Sequence, residues 1–244
     1  MDKQIEIEAV LTRYIPFVKL VSMLEQGFFI PKANLFTDSW EGILHLFNGE
    51  KDNFQTENQL IAAKEWVYVS CWYLDEPESH AMWNSYGQSN DSLAIQTTHK
   101  NFKLAFDRSR IDMHARFFPV AYQKPNNAYH LYNGKGIPDW FRGEYAVSHS
   151  IFNYLPLQLF YKHEAFSFEN EARLVLVDND ATLENKNKRL GLHFSIKDTR
   201  EMITKIILHP NSSAWFEDTV RKLINDTYEL DIPICKSSLV GYTN

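Results

Sequence analysis

Cysteine is scarce in this chain: Cys71 and Cys235 are the only two in 244 residues. They allow at most one disulfide, and the opening Met1-Asp2-Lys3-Gln4-Ile5-Glu6 is acidic, without the apolar stretch of a secretory signal. A reducing, cytoplasmic setting with both thiols unpaired is the expectation. Long apolar runs are missing too. None approaches the ~18 residues a membrane span needs, so no membrane partner is expected. Positive charge is in deficit, with 25 Lys and Arg against 31 Asp and Glu and a net charge of -6. That balance excludes a global attraction to phosphate backbones or anionic lipid.

Several familiar chemistries lack their motifs. There is no glycine loop leading into Lys-Ser or Lys-Thr, no dinucleotide fingerprint, no paired-cysteine zinc spacing and no His-Glu-x-x-His. His80, His99, His114, His130 and His163 fall at no metal-ligand spacing, so no metal is expected. Cys71 with His80 would make a thiol–imidazole pair suited to nucleophilic attack. Cys71 lies inside an aromatic strand, however, where a buried structural thiol is the simpler reading. Asp38, Glu41, Glu169 and Glu171 offer carboxylates for a divalent-metal nuclease, but in no recognisable metal pattern.

What is present is enough for one substantial core. With 44% hydrophobic and 23% charged residues, residues 1–244 are expected to form a single domain. A short strand at residues 10–15 is followed by Pro16 at the head of a helix, in which Phe17, Leu20, Val21 and Leu24 recur at helical spacing. Gly27 is placed to end that helix in the left-handed conformation, before a short strand at Phe28, Phe29 and Ile30. A turn and short helix carrying Trp40, Ile43, Leu44 and Phe47 follow, then a helix at residues 57–64. Residues 66–73 are dense in aromatic and β-branched types and read as a strand with Ser70 near its end. Pro77 opens a helix that Gly87 stops.

Residues 93–97 form a strand and residues 99–107 a helix. A strand at residues 115–122 is confined by Pro119 to an edge or bulge. Residues 124–144 mix Asn, Gly and Pro with Tyr129, Tyr132, Trp140 and Phe141, the composition of a long ordered loop or lid. A helix at residues 146–161 is kinked or divided by Pro156. After residues 166–177 come a polar loop at 178–188 and strands at 190–194 and 203–208. A helix capped by Ser212 or Ser213 follows, then a last strand at 232–235. The fold class expected is α+β: a mixed, mostly antiparallel central sheet, or two small packed sheets, flanked by helices.

Residues 166–177, Phe-Ser-Phe-Glu-Asn-Glu-Ala-Arg-Leu-Val-Leu-Val, hold the centre of the functional reading. The aliphatic tail reads as a buried strand. A two-residue period puts Glu169, Glu171 and Arg173 on one side, so paired carboxylates stand at the mouth of that strand. A solvated strand end has the same pattern. Two other predicted strand ends carry Arg13 and Ser70. Chemistry through an oxocarbenium-like state at a ribose needs a cation for a pyrophosphate, a hydroxyl to fix the sugar and a carboxylate to stabilise positive charge. Arg13, Ser70 and Glu171 match those parts, and Glu169 can serve as base for the incoming acceptor.

The chain resembles a bacterial family catalogued as domain of unknown function 2971. The matching residues are Arg13-Tyr14, the turn at Asp38-Ser39-Trp40-Glu41, Val69-Ser70-Cys71-Trp72, Met82-Trp83-x-x-Tyr86-Gly87, Tyr161-Lys162, Phe168-Glu169-x-Glu171-x-Arg173-Leu174, and the closing strand, Pro-Asn turn and helix from Ile203 to Asn225 with Ser237-Ser238-Leu239 after it. In that turn the family pattern is closer to Asn-Asp-Pro-Phe-Glu. More distantly, the order Arg, Ser, Glu-x-Glu is similar to the R-S-E layout of ADP-ribosyltransferase toxins. That resemblance implies a sheet pair of the ADP-ribosyltransferase type and NAD as a substrate, with no tightly bound cofactor. It also implies a macromolecular acceptor, protein or nucleic acid, and a role as toxin or phage-defence effector. Under it Arg13 contacts the pyrophosphate or ribose, Ser70 orients the nicotinamide ribose, Glu171 is the catalytic glutamate and Glu169 shapes acceptor choice. Tyr14, Trp72 and Tyr86 become candidates for stacking on nicotinamide or adenine, and Arg173 joins the substrate-binding set. Two alternatives stand beside it. One is a non-enzymatic recognition module of a defence system, using residues 126–140 as its contact surface; the other is a nucleotide-directed glycosidase built on the same carboxylate pair.

Overall fold

The computed structural model of the chain describes residues 5–36, 64–74, 77–123, 159–178 and 189–241. In chain order the elements are β1 (Val10–Pro16), α1 (Phe17–Gln26), β2 (Phe29–Pro31), β3 (Val67–Leu74), α2 (His80–Tyr86), β4 (Ser92–Thr98), α3 (His99–Arg108) and β5 (His114–Pro119). They continue with β6 (Ala121–Gln123), β7 (Tyr161–His163), a 3-10 turn (Glu164–Glu169), β8 (Glu171–Val177), β9 (Gly191–His193), α4 (Ile196–Met202), β10 (Lys205–Leu208), α5 (Ala214–Lys222) and β11 (Ile234–Lys236). The fold is α+β, as expected, and mostly antiparallel: β1 pairs antiparallel with β3 and β4, β4 with β10, and β5 with β8. The pairs β10–β11 and β6–β7 are parallel. The chain divides into two compact units interleaved in sequence. The first comprises residues 1–5, 30–71 and 112–192; the second, residues 6–29, 72–111 and 193–244.

In the second unit the strand order is β11-β10-β4-β1, followed by the end of β3. The register sets Arg13 opposite Ile95 and Tyr14 opposite Ala94. Pro16, at φ -61, leads directly into α1, whose Leu20, Met23 and Leu24 recur at helical spacing and are buried. Gly27 ends the helix at φ 92 and ψ 165, so φ is positive as expected while ψ is extended. A Cβ at Gly27 would collide with the Phe194 carbonyl oxygen, which leaves glycine as the residue that fits. Behind this turn the Phe28 ring stacks on Trp72 at 5.5 Å between centroids and meets Phe102 and Phe194. Side-chain caps begin the other helices: Ser79 for α2, Thr98 for α3, Ser195 for α4 and Ser213 for α5. Each such cap contributes about 1 kcal/mol.

Two helix expectations need correction here. The helix placed at Pro77 starts at His80, because Ser79 accepts the Met82 N–H and takes the capping position. Helix α4 has no counterpart in the sequence reading. Its residues Ile-Lys-Asp-Thr-Arg-Glu-Met carry apolar side chains only at the two ends, so no apolar stripe announces it.

In the first unit the order is β3-β8-β5. Strand β8 is buried from Glu171 through Leu176, so both faces are covered. Val67, Tyr68 and Val69 of β3 are buried as well. Pro119, paired with Ala172, is the last residue of β5 at the end of the strand order, the edge position its missing N–H demands. The strand expected over 115–122 is thereby split. Val120 donates its N–H to the Glu171 carbonyl at 2.7 Å and Ala121 to the Phe160 carbonyl at 2.8 Å, after which β6 pairs with β7. Residues 37–63, 124–158 and 179–188 lie outside the described residues. With them fall the turn at Asp38 and Glu41, most of the helix at 57–64, the aromatic loop at 124–144, most of the helix at 146–161 and the polar loop at 178–188.

Candidate active site: a buried carboxylate pair

The stretch around Glu169 and Glu171 folds differently from a continuous strand. His163 accepts the Ala165 N–H through Nδ1 at 3.0 Å and starts the 3-10 turn that ends on Glu169. Asn170 then adopts the left-handed conformation at φ 34 and ψ 54, which asparagine tolerates better than most residues. Strand β8 begins only at Glu171. The expectation that a strand pleat sets the two carboxylates side by side is therefore corrected. A tight turn and a shared cation bring them together instead.

That cation is Lys162 of β7. Its Nζ donates to Glu171 Oε1 at 2.9 Å and also forms an ion pair with Glu169 Oε2. Arg173 holds Glu171 from the other direction: Nε donates to Oε2 at 2.6 Å and Nη2 to Oε1 at 3.0 Å. Arg173 Nη1 donates to the Leu159 carbonyl at 2.8 Å. The backbone is fixed too, since the Glu171 N–H donates to the Tyr122 hydroxyl oxygen at 2.8 Å. Side-chain exposure is 8% for Lys162, 4% for Glu169, 6% for Glu171 and 0% for Arg173. The solvated strand end is thus excluded: these charges are buried and compensated by one another.

The two carboxylates differ in proton demand. Burial and the hydrogen bond that its protonated form donates to Glu171 push the Glu169 carboxyl up to about 7, against the opposing pull of Lys162. For Glu171, burial raises the pKa, but the Arg173 charge, the hydrogen bonds to Glu169 and Arg173, and Lys162 together hold it well below the usual carboxylate range. Burial also raises the Tyr122 phenol, which keeps its proton throughout the neutral range. Near neutral pH one carboxylate is therefore a fixed anion and the other exchanges a proton. Divergent proton demand in adjacent acids is the arrangement acid–base chemistry uses.

The remaining expected site residues fall as follows. Ser70 lies on β3 of the first unit, fully buried. Arg13 lies on β1 of the second unit, half-buried, with its guanidinium carbon 5.1 Å from the Phe28 ring centroid and 5.9 Å from that of Trp72. Lys19 is near enough that, after partial burial, the Arg13 charge adds to the lowering of its ammonium pKa. Three assignments are corrected. Trp72 is buried and stacked on Phe28. Tyr14 packs edge-on against Tyr73 and Trp83 while its hydroxyl accepts the Ser79 N–H. Neither ring has a face left for a base or nicotinamide. Arg173, fully buried and committed to Glu171 and Leu159, positions a carboxylate rather than binding substrate. Tyr86 is 46% exposed.

Lys162 and Tyr122 are the site residues that sequence reasoning gave no role. Lys162 stands seven residues before Glu169 and nine before Glu171, outside any single strand or helix turn. Its signal in the sequence was the Tyr161-Lys162 pair of the family resemblance. Tyr122 had none, because its contact with Glu171 spans 49 residues. Among the described residues no group of three or more His, Cys, Asp or Glu is gathered as for a metal ion. None of their helices is long and apolar enough to cross a membrane.

No family model matches the chain, so none confirms the likeness to domain of unknown function 2971, and no curated protein matches it either. Among solved structures, the DarT of Thermus sp. 2.9 in complex with NAD+ aligns with a TM-score of 0.41 and 9% sequence identity. The alignment covers 96% of this chain and 97% of that one. At that score and identity the likeness assigns neither activity nor site residues.

Proposed function

We propose that the protein is an NAD-consuming enzyme of the ADP-ribosyltransferase or NAD glycohydrolase type, with Glu171 and Glu169 as its catalytic pair. The observation that carries this reading is the buried pairing of a fixed anion with a carboxylate that exchanges its proton near neutral pH. The bond from ribose C1′ to the nicotinamide nitrogen breaks, and its electron pair leaves with nicotinamide, which departs neutral. Glu171 stabilises the positive charge left on the ribose. The oxygen of water or of an acceptor hydroxyl bonds to C1′, and Glu169 takes the proton that this oxygen loses. Arg13 is assigned to the anionic pyrophosphate. Ser70, on the strand beside β8, is assigned to orienting the nicotinamide ribose. Tyr86 is the aromatic residue retained for stacking.

Incubation with NAD, with and without cell lysate to supply an acceptor, tests the reading through release of nicotinamide. Wild type is expected to release it, and Glu171→Gln to lose activity on the order of 10²-fold or more. No release from wild type under either condition, or equal release from the variant, would sink the assignment. A second reading has an observation of its own. Lys162, Glu169, Glu171 and Arg173 are all nearly buried, as in an ion cluster that serves only to join β7 and β8 in a recognition module. Under that reading Glu171→Gln lowers stability and changes no turnover.

A further inference from the structure

We propose that Lys162 is a positioning residue of the reaction: it clamps Glu169 beside Glu171, so that the two glutamates work as one unit with a single exchangeable proton. This rests on the enzyme reading above. Three observations carry it. Lys162 Nζ reaches both carboxylates, at 2.9 Å from Glu171 Oε1 and in an ion pair with Glu169 Oε2. Arg173, the second cation of the cluster among the described residues, donates from its guanidinium nitrogens to Glu171 and to the Leu159 carbonyl. The ammonium is itself held, 4.9 Å from the centroid of the Phe166 ring on the 3-10 turn. The turn, β7 and β8 are therefore joined at one nitrogen.

The clamp has an electrostatic consequence. The charged or titratable groups facing Glu169 among the described residues are Tyr122 from β6, Lys162 from β7 and Glu171 from β8. Glu171 and burial both favour a protonated Glu169, and the Lys162 charge opposes them. Without that ammonium, Glu169 would keep its proton well above neutral pH and could not accept one from an acceptor hydroxyl. The proton taken up during transfer returns to solvent when Glu169 ionises again, so the pair is reset without any further reactant.

The test separates the clamp from the activity. Protein labelled with 13C at the glutamate carboxyl carbon is titrated by NMR, with Glu169 identified by its loss in Glu169→Gln. The expected midpoint near 7 in wild type should rise by about 1–3 pH units in Lys162→Met and return most of the way in Lys162→Arg. If Lys162→Met does not fold, Lys162→Gln carries the same test. Nicotinamide release by Lys162→Met should fall on the order of 10²-fold at neutral pH, with kcat affected more than KM and with part of the loss recovered in alkaline solution. An unmoved Glu169 midpoint, or a loss equal at every pH, overturns the role of Lys162 while leaving the enzyme reading in place. Absence of nicotinamide release from wild type overturns both.

Discussion

The half-buried Glu78 of the second unit and the buried Glu171 of the first are satisfied by different means. In the second unit Glu78 accepts from neutral donors: Trp83 Nε1 at 3.1 Å, Ser237 Oγ at 2.6 Å, and the Ser238 N–H and hydroxyl at 2.6 and 2.8 Å. It fastens the segment after β11 to the start of α2, beside the Ser79–Tyr14 hydrogen bond. In the first unit Glu171 is held by two cations and abuts a second carboxylate. Neutral donors from two segments converge on the Glu78 carboxylate, which suits a fastening. A cluster of opposed charges leaves the proton affinity of each member dependent on the others. In that second arrangement burial and the neighbouring carboxylate push Glu169 up to about 7.

This contrast can be broken at several points. The largest expected effect is that of Arg173→Met, which leaves Glu171 buried beside Glu169 without its bidentate partner. It should lower unfolding free energy by about 3–5 kcal/mol in urea titrations. Next comes a pH dependence. Because the Glu169 pKa is higher in the folded chain than the ordinary 4.5, the folded state binds more protons than the unfolded one between those values. Its contribution to stability is complete below about pH 4.5 and is lost as pH rises through about 7. Glu169→Gln removes that term, so the stability of the variant relative to wild type should improve by about 2–3 kcal/mol from pH 5 to pH 8. The depressed Glu171 pKa works in the opposite sense, with stability present above 4.5 and lost only at more acidic pH. The smallest effect is expected for Glu78→Ala, about 1–2 kcal/mol, with faster amide exchange at Ser238 and Leu239. If Glu78→Ala instead costs as much as Arg173→Met, the distinction between neutral and charged compensation fails.

Much of the framework was legible in the residues themselves. The β-branched and aromatic density of residues 66–73 marked β3 to within one residue at each end, and the helical spacing in α1 was equally clear. Helix α4 escaped because it presents no apolar stripe, although Ser195 three residues before Asp198 was a capping signal; Ser195 Oγ both accepts the Asp198 N–H and donates to its carboxylate. In the site, the types Glu169 and Glu171 drew attention, but the reason for their nearness was misread. The period-two argument assumes a strand throughout, and Asn170 breaks it. Tyr14 and Trp72 were read as stacking candidates because aromatic composition cannot distinguish an exposed ring from a core ring.

The amino-acid sequence determined the class of the molecule, an α+β chain with an antiparallel sheet, and it determined the carboxylate pair at the head of β8. Periodicity, caps and turn residues act over a few neighbours, and those neighbours are written in the chain. That Lys162 and Tyr122 meet the pair was decided by the tertiary structure. Lys162 and Tyr122 reach it from β7 and β6 only once Val120 and Ala121 have bonded to Glu171 and Phe160. The same holds for the proton demand of each glutamate, because desolvation and charge at close range exist only after the strands have packed.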